Sequence, residues 1–116
     1  MAGVVHIPWY GTFFSGDKLA EAVVEAAAAS IRYNATQYRV HRSREDRYKI
    51  TQMVWFDSKD DWNRYWEGPE MTALRTNCLG WYQVPVLDVW HDEIAEDLIA
   101  LEAAQAPAPP ASVPVA

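Results

Sequence analysis

The stretch from Tyr48 to Phe56 constrains the fold more than any other part of the chain. As a strand it presents two alternating sets, Tyr48, Ile50, Gln52, Val54 and Phe56 against Lys49, Thr51, Met53 and Trp55. Both sets carry large apolar side chains. A sheet with one face in water shows one polar set, so this sheet is expected to be covered on both faces. The chain has 116 residues, enough to bury one core in one domain. Its two long helical segments cover one face well. The other face is most simply covered by a second copy, which makes a homodimer the expected assembly.

The remaining elements fall around that strand. Residues 4–14, from Val4 to Phe14, are β-branched and aromatic and predict a first strand, at an edge or irregular at Pro8, which has no backbone donor. Ser15 or Asp17 caps a helix over residues 16–33, with Leu19, Val23, Ala26, Ala27, Ser30 and Ile31 as a small-residue stripe. Asn34 suits a left-handed terminator. Residues 35–42 and 47–56 predict a hairpin joined by Ser43, Arg44, Glu45 and Asp46. Ser58, with Asp61 three residues on, opens a second helix that breaks at Gly68-Pro69, resumes through Met71, Leu74 and Cys78, and ends at Gly80. A last strand is expected over 84–90. Ile94, Leu98 and Leu101 predict a short acidic helix over 93–104, and the Pro/Ala-rich residues 105–116 an extended or disordered tail. Strand, helix, strand, strand, helix, strand is the split βαβ order. It predicts an α+β, ferredoxin-like βαββαβ domain over residues 1–92, an antiparallel four-stranded sheet with its helices on one face.

Charge and composition exclude several function classes. The net charge is −6, and Asp92, Glu93, Glu96, Asp97 and Glu102 carry five of the 16 acids with no base among them. Residues 1–91 are therefore close to neutral. An acidic chain argues against a nucleic-acid partner, and the cluster Arg39, Arg42, Arg44, Arg47 and Lys49 is interrupted by Glu45 and Asp46, as a solvated hairpin would be. No apolar run reaches the roughly 20 residues of a membrane span. With no basic, apolar leader and a single cysteine, Cys78, the expected compartment is the cytoplasm. His6, His41 and His91 are dispersed without metal-ligand spacing, so no metal is expected. There is no Gly-rich phosphate loop and no nucleophile elbow.

Six tryptophans and six tyrosines stand out. Trp62 and Trp66 share a helix face with Tyr65 beside them, either as packed core or as the wall of a pocket for a flat apolar ligand. Gln52 interrupts an apolar set, and a buried amide must pair with a neighbour or point at a ligand. Asp88, if buried, asks for Arg39 or Arg75. His6 lies in register with Val4, Pro8 and Tyr10. It is either a structural strand histidine or a general base within reach of a substrate proton.

The run from Phe56 to Pro69 resembles the antibiotic biosynthesis monooxygenase family of the dimeric α+β barrel superfamily. That family often ends the strand on an aromatic, caps the helix with Ser or Asp, follows with an apolar residue and a histidine three later, and breaks at a small residue and proline. Phe56, Ser58, Trp62 and Gly68-Pro69 match, while Tyr65 stands at the histidine position. The resemblance implies a dimeric α+β barrel whose two sheets face one another, with a pocket in each subunit between sheet and helices. Some members oxygenate polyphenols without metal or flavin, and others bind or degrade haem through the helix histidine that Tyr65 replaces here. It thus implies a cofactor-independent monooxygenase-like enzyme acting on a small aromatic or hydrophobic molecule. His6 would move a proton and Tyr65 would hold a substrate oxygen, with Tyr10, Gln52, Trp62 and Trp66 around the substrate. The alternative is a non-catalytic ligand-binding or protein-interaction dimer in which Trp62, Tyr65 and Trp66 close the space.

Overall fold

A computed structural model of the chain describes residues 1–97. In chain order these form β1 (Gly3–Tyr10), α1 (Gly16–Ala28), a 3-10 turn (Ala29–Tyr33), β2 (Ala35–Arg42), β3 (Lys49–Phe56), α2 (Lys59–Glu67), α3 (Pro69–Asn77) and β4 (Val89–Asp92). The strands make one antiparallel sheet in the order β2-β3-β1-β4. This is the α+β, ferredoxin-like arrangement expected from the element order.

Local chemistry sets the boundaries. Ser58 accepts a hydrogen bond from the Asp61 amide at 3.3 Å, which caps α2. Gly68 then ends α2, and Pro69, which has no amide hydrogen to satisfy, begins α3. Asn34 takes a left-handed φ of 66° after the 3-10 turn, into which the last residues of the expected long helix tighten. The first strand stops at Tyr10 and not at Phe14, because Thr12 turns the chain and accepts from the Ser15 amide at 2.9 Å.

The last strand starts at Val89, five residues later than the alternation suggests. The chain reaches β1 earlier, where the Thr12 amide donates to Trp81 at 2.9 Å and the Gln83 amide to Tyr10 at 2.8 Å. Pro85 cannot donate to a ladder, and the segment to Asp88 leaves the sheet. As a result β1 is an interior strand, paired with β3 along its length but with β4 only from Gly3 to His6. Pro8 sits in the gap, where a missing donor costs nothing. Glu93 to Asp97 have no regular secondary structure. The rest of the expected acidic helix, and the tail over 105–116, lie outside the described residues.

One sheet face carries Val5, Ile7, Trp9, Ile50, Gln52, Val54 and Phe56, all buried beneath Leu19, Val23 and Ala26 of α1, Trp62 and Tyr65 of α2, and Met71 and Leu74 of α3. Gly3 has no room for a Cβ, because the Trp90 indole and the His91 carbonyl lie against it. The opposite face presents Val4, His6, Thr51, Met53 and Trp55, which the described chain leaves only half-buried.

Candidate functional site

Between sheet and helices runs a string of polar groups through an otherwise apolar core. The Trp9 indole N–H donates to Gln52 Oε1 at 3.0 Å, Gln52 Nε2 donates to the Tyr65 hydroxyl at 2.9 Å, and that hydroxyl donates to the Ala26 carbonyl at 2.5 Å. Four elements thus meet on one line: β1, β3, α2 and α1. Trp9, Gln52 and Tyr65 are all fully buried. Burial pushes the Tyr65 phenol far above its ordinary value, the bond from Gln52 pulls the other way, and Glu70 and Tyr33 add to the rise. The phenol therefore stays protonated. Around it stand the rings of Tyr33, Phe56 and Trp62, at centroid distances of 5.5, 5.9 and 6.3 Å. Aromatic rings thus pack around the Tyr65 hydroxyl, and the polar groups of the string pair with one another.

A cavity of about 570 Å³ opens on the outer side of this string, between α1 with its 3-10 turn and α3. Ala22, Ala26, Ala29, Ala73, Leu74 and Cys78 line it. Ala26 belongs to both features, since its carbonyl holds Tyr65. At the rim Glu70 accepts from the Tyr33 hydroxyl at 2.6 Å and from Arg32 at 2.7 Å. The Tyr33 hydroxyl, then the backbone amide, then Arg32 hold the Glu70 carboxyl below its ordinary value. Burial raises the Cys78 thiol, which keeps it from acting as a thiolate.

The residues singled out in the sequence divide between the two faces of the sheet. Gln52, Trp62 and Tyr65 come together in the core, and Trp66 is half-buried beside them, its ring 5.2 Å from Trp62 and capped by the Arg75 guanidinium at 4.1 Å. His6 and Tyr10 alternate with Val5, Ile7 and Trp9 and so point to the opposite face. Tyr10 donates to Asp46 at 2.5 Å, and the His6 ring lies 4.9 Å from that of His91. Burial first, and His91 second, lower the His6 pKa. His6 and Tyr65 therefore do not share a site within the chain. Asp88 is exposed and forms no ion pair among the described residues, because its segment has left the sheet. Arg75 instead donates to the Trp66 carbonyl at 2.8 Å. Sequence reasoning missed Trp9, Tyr33 and Glu70. Only Trp9 carried a signal, as the largest member of the set Val5, Ile7 and Trp9.

Among the described residues no helix is long and apolar enough to cross a membrane, and no group of three or more His, Cys, Asp or Glu could hold a metal ion. No family model matches the chain, and no curated protein matches it in sequence. Solved structures do match. A protein described as an antibiotic biosynthesis monooxygenase from Nitrosomonas europaea superposes with a TM-score of 0.73 at 15% identity, over 80% of this chain and 90% of that one. The fold is that of the antibiotic biosynthesis monooxygenases. Rv0793 from Mycobacterium tuberculosis gives 0.73 at 10% identity, over 83% and 98% of the two chains. A mutant of SnoaB, a cofactor-independent oxygenase from Streptomyces nogalater, gives 0.69 at 9% identity, over 82% and 95%. In its version of this monooxygenase-type fold, the present chain fills the space beside Tyr65 with its own side chains and leaves open the groove behind Ala26.

Proposed function

We propose that this chain is a cytoplasmic homodimer that binds a small aromatic or hydrophobic molecule in each subunit, in the groove between α1 and α3. The observation that carries the reading is the alanine-lined cavity of about 570 Å³, a size that suits a drug-sized ligand. Alanines give a flat apolar wall, and Arg32 and Glu70 at the rim can orient one hydroxyl or carbonyl. The homodimer rests on the second sheet face, where Val4, Met53 and Trp55 need a cover that no helix among the described residues supplies. A cofactor-independent oxygenase is the second reading, favoured by the fold shared with SnoaB. It requires the Tyr65 hydroxyl to leave the Ala26 carbonyl and take a substrate oxygen, since every polar group of the string is already paired.

The test is a titration of the full chain with 2-naphthol, followed by amide chemical shifts, on wild type and Ala73→Trp. Ala73 lines the groove from an exposed helix position, so tryptophan there fills the cavity and spares the core. Saturable binding that the variant weakens tenfold or more is the expected result. Absence of binding, or binding that Ala73→Trp leaves unchanged, refutes the groove. Oxygen uptake in the presence of the naphthol, abolished in Tyr65→Phe, would instead establish the second reading.

A further inference from the structure

His6 and His91 lie near opposite ends of the described chain, and no spacing rule connects them. The sheet does. In the pairing of β1 with β4, Val4 stands opposite His91 and His6 opposite Val89, so the two imidazoles are diagonal neighbours on the open face. Their centroids are 4.9 Å apart with planes at 79°. Neither ring makes a hydrogen bond among the described residues, and the residues beside them in the ladder, Val4, Met53 and Val89, bring no competing charge.

We propose that His6 and His91 form a two-histidine site for a divalent late first-row metal ion, of the class of Zn2+ and Cu2+. A metal about 2.0–2.1 Å from one nitrogen of each ring, at a ligand–metal–ligand angle of about 90–110°, places the ring centroids about 4.5–5.2 Å apart. The observed 4.9 Å lies within that window, so the rings need only turn a nitrogen inward and the backbone stays in place. Imidazole favours zinc and copper over magnesium and calcium. Both protein ligands come from one chain, on adjacent strands of its sheet. With no acceptor among the described residues for the second nitrogen of either ring, the affinity is expected to be modest. His41 shares the face but sits on β2, beyond β3, two strand spacings of about 4.8 Å each from β1.

The experiment is calorimetric titration of Zn2+ into the metal-free full chain at pH 7.5, for wild type, His6→Gln, His91→Gln and His41→Gln. In parallel, the imidazole nitrogen resonances of the wild type are followed, a readout that survives any folding defect in a variant. The expected result is saturable binding that His6→Gln and His91→Gln each weaken tenfold or more and that His41→Gln retains, with the His6 and His91 resonances shifting together. Absence of saturable binding, or binding that moves neither resonance and survives both variants, would mean that the contact is edge-to-face ring packing and the ion adventitious.

Discussion

Removing the Tyr65 hydroxyl tests whether the buried string is a closed unit. In Tyr65→Phe the Gln52 Nε2 loses its acceptor in the core, and the Ala26 carbonyl, at the edge of the groove, loses a donor. An unsatisfied buried group costs about 1–3 kcal/mol, so two would cost about 2–6 kcal/mol; with the Ala26 carbonyl bordering the groove the loss should lie toward the lower end, about 2–4 kcal/mol. At about 4–8 °C per kcal/mol for a domain of this size, the melting temperature should fall by roughly 8 °C or more. Gln52→Leu orphans the Trp9 indole and also removes the donor to Tyr65, and should cost about 2 kcal/mol. The double variant no longer contains the Gln52–Tyr65 bond that each single variant breaks. Its cost should fall short of the sum by about 1 kcal/mol. Urea unfolding followed by tryptophan fluorescence, read at constant m, measures all three. A Tyr65→Phe cost under about 0.5 kcal/mol, or strict additivity in the double variant, would refute the closed string.

Three further perturbations probe the frame around it. Ser58→Ala removes the cap of α2 and should destabilise by about 1 kcal/mol in the same urea assay. Gly68→Ala should cost about 1–3 kcal/mol although φ there is an ordinary −73°, because a Cβ meets the Tyr33 phenol and pushes it off Glu70; a neutral result would show that Tyr33 moves freely. The native pKa of Glu70 lies below its ordinary value of 4.5, so its stabilisation is complete above that value and is lost as acid passes through the lower native one. Stability measured against pH should therefore separate wild type from Glu70→Gln above about pH 4.5 and bring the two curves together in stronger acid.

The element order was readable because each boundary has a local cause: Asn34, the Ser58 cap and the Gly68-Pro69 break act through their own backbones. The start of β4 was not readable, since it depends on residues 81–83 docking first beside Tyr10 and Thr12, a long-range contact that no periodicity records. Gln52 announced itself as a polar residue in an apolar set, and its partner Tyr65 stood out in an aromatic helix face. Glu70 and Tyr33 did not stand out, because an exposed-looking carboxylate at a helix start and a tyrosine at a helix end are ordinary until the fold sets them 2.6 Å apart.

The division of the candidate residues follows from the feature that opened the sequence. Period-two alternation puts His6 with Tyr10 and sets both apart from Trp9, but a pattern names the buried face only when the other set is polar. In β1 and β3 both sets are apolar, so the sequence orders the side chains into faces without saying which face the helices cover. The helices select Val5, Ile7, Trp9 and Gln52, and that choice sends His6 to the other side. Chemistry that needs His6 and Tyr65 on one substrate cannot take place within a single chain of this fold. A role for Tyr65 lies inside the subunit, behind Ala26, whereas a role for His6 lies with His91 on the face that a second copy would cover.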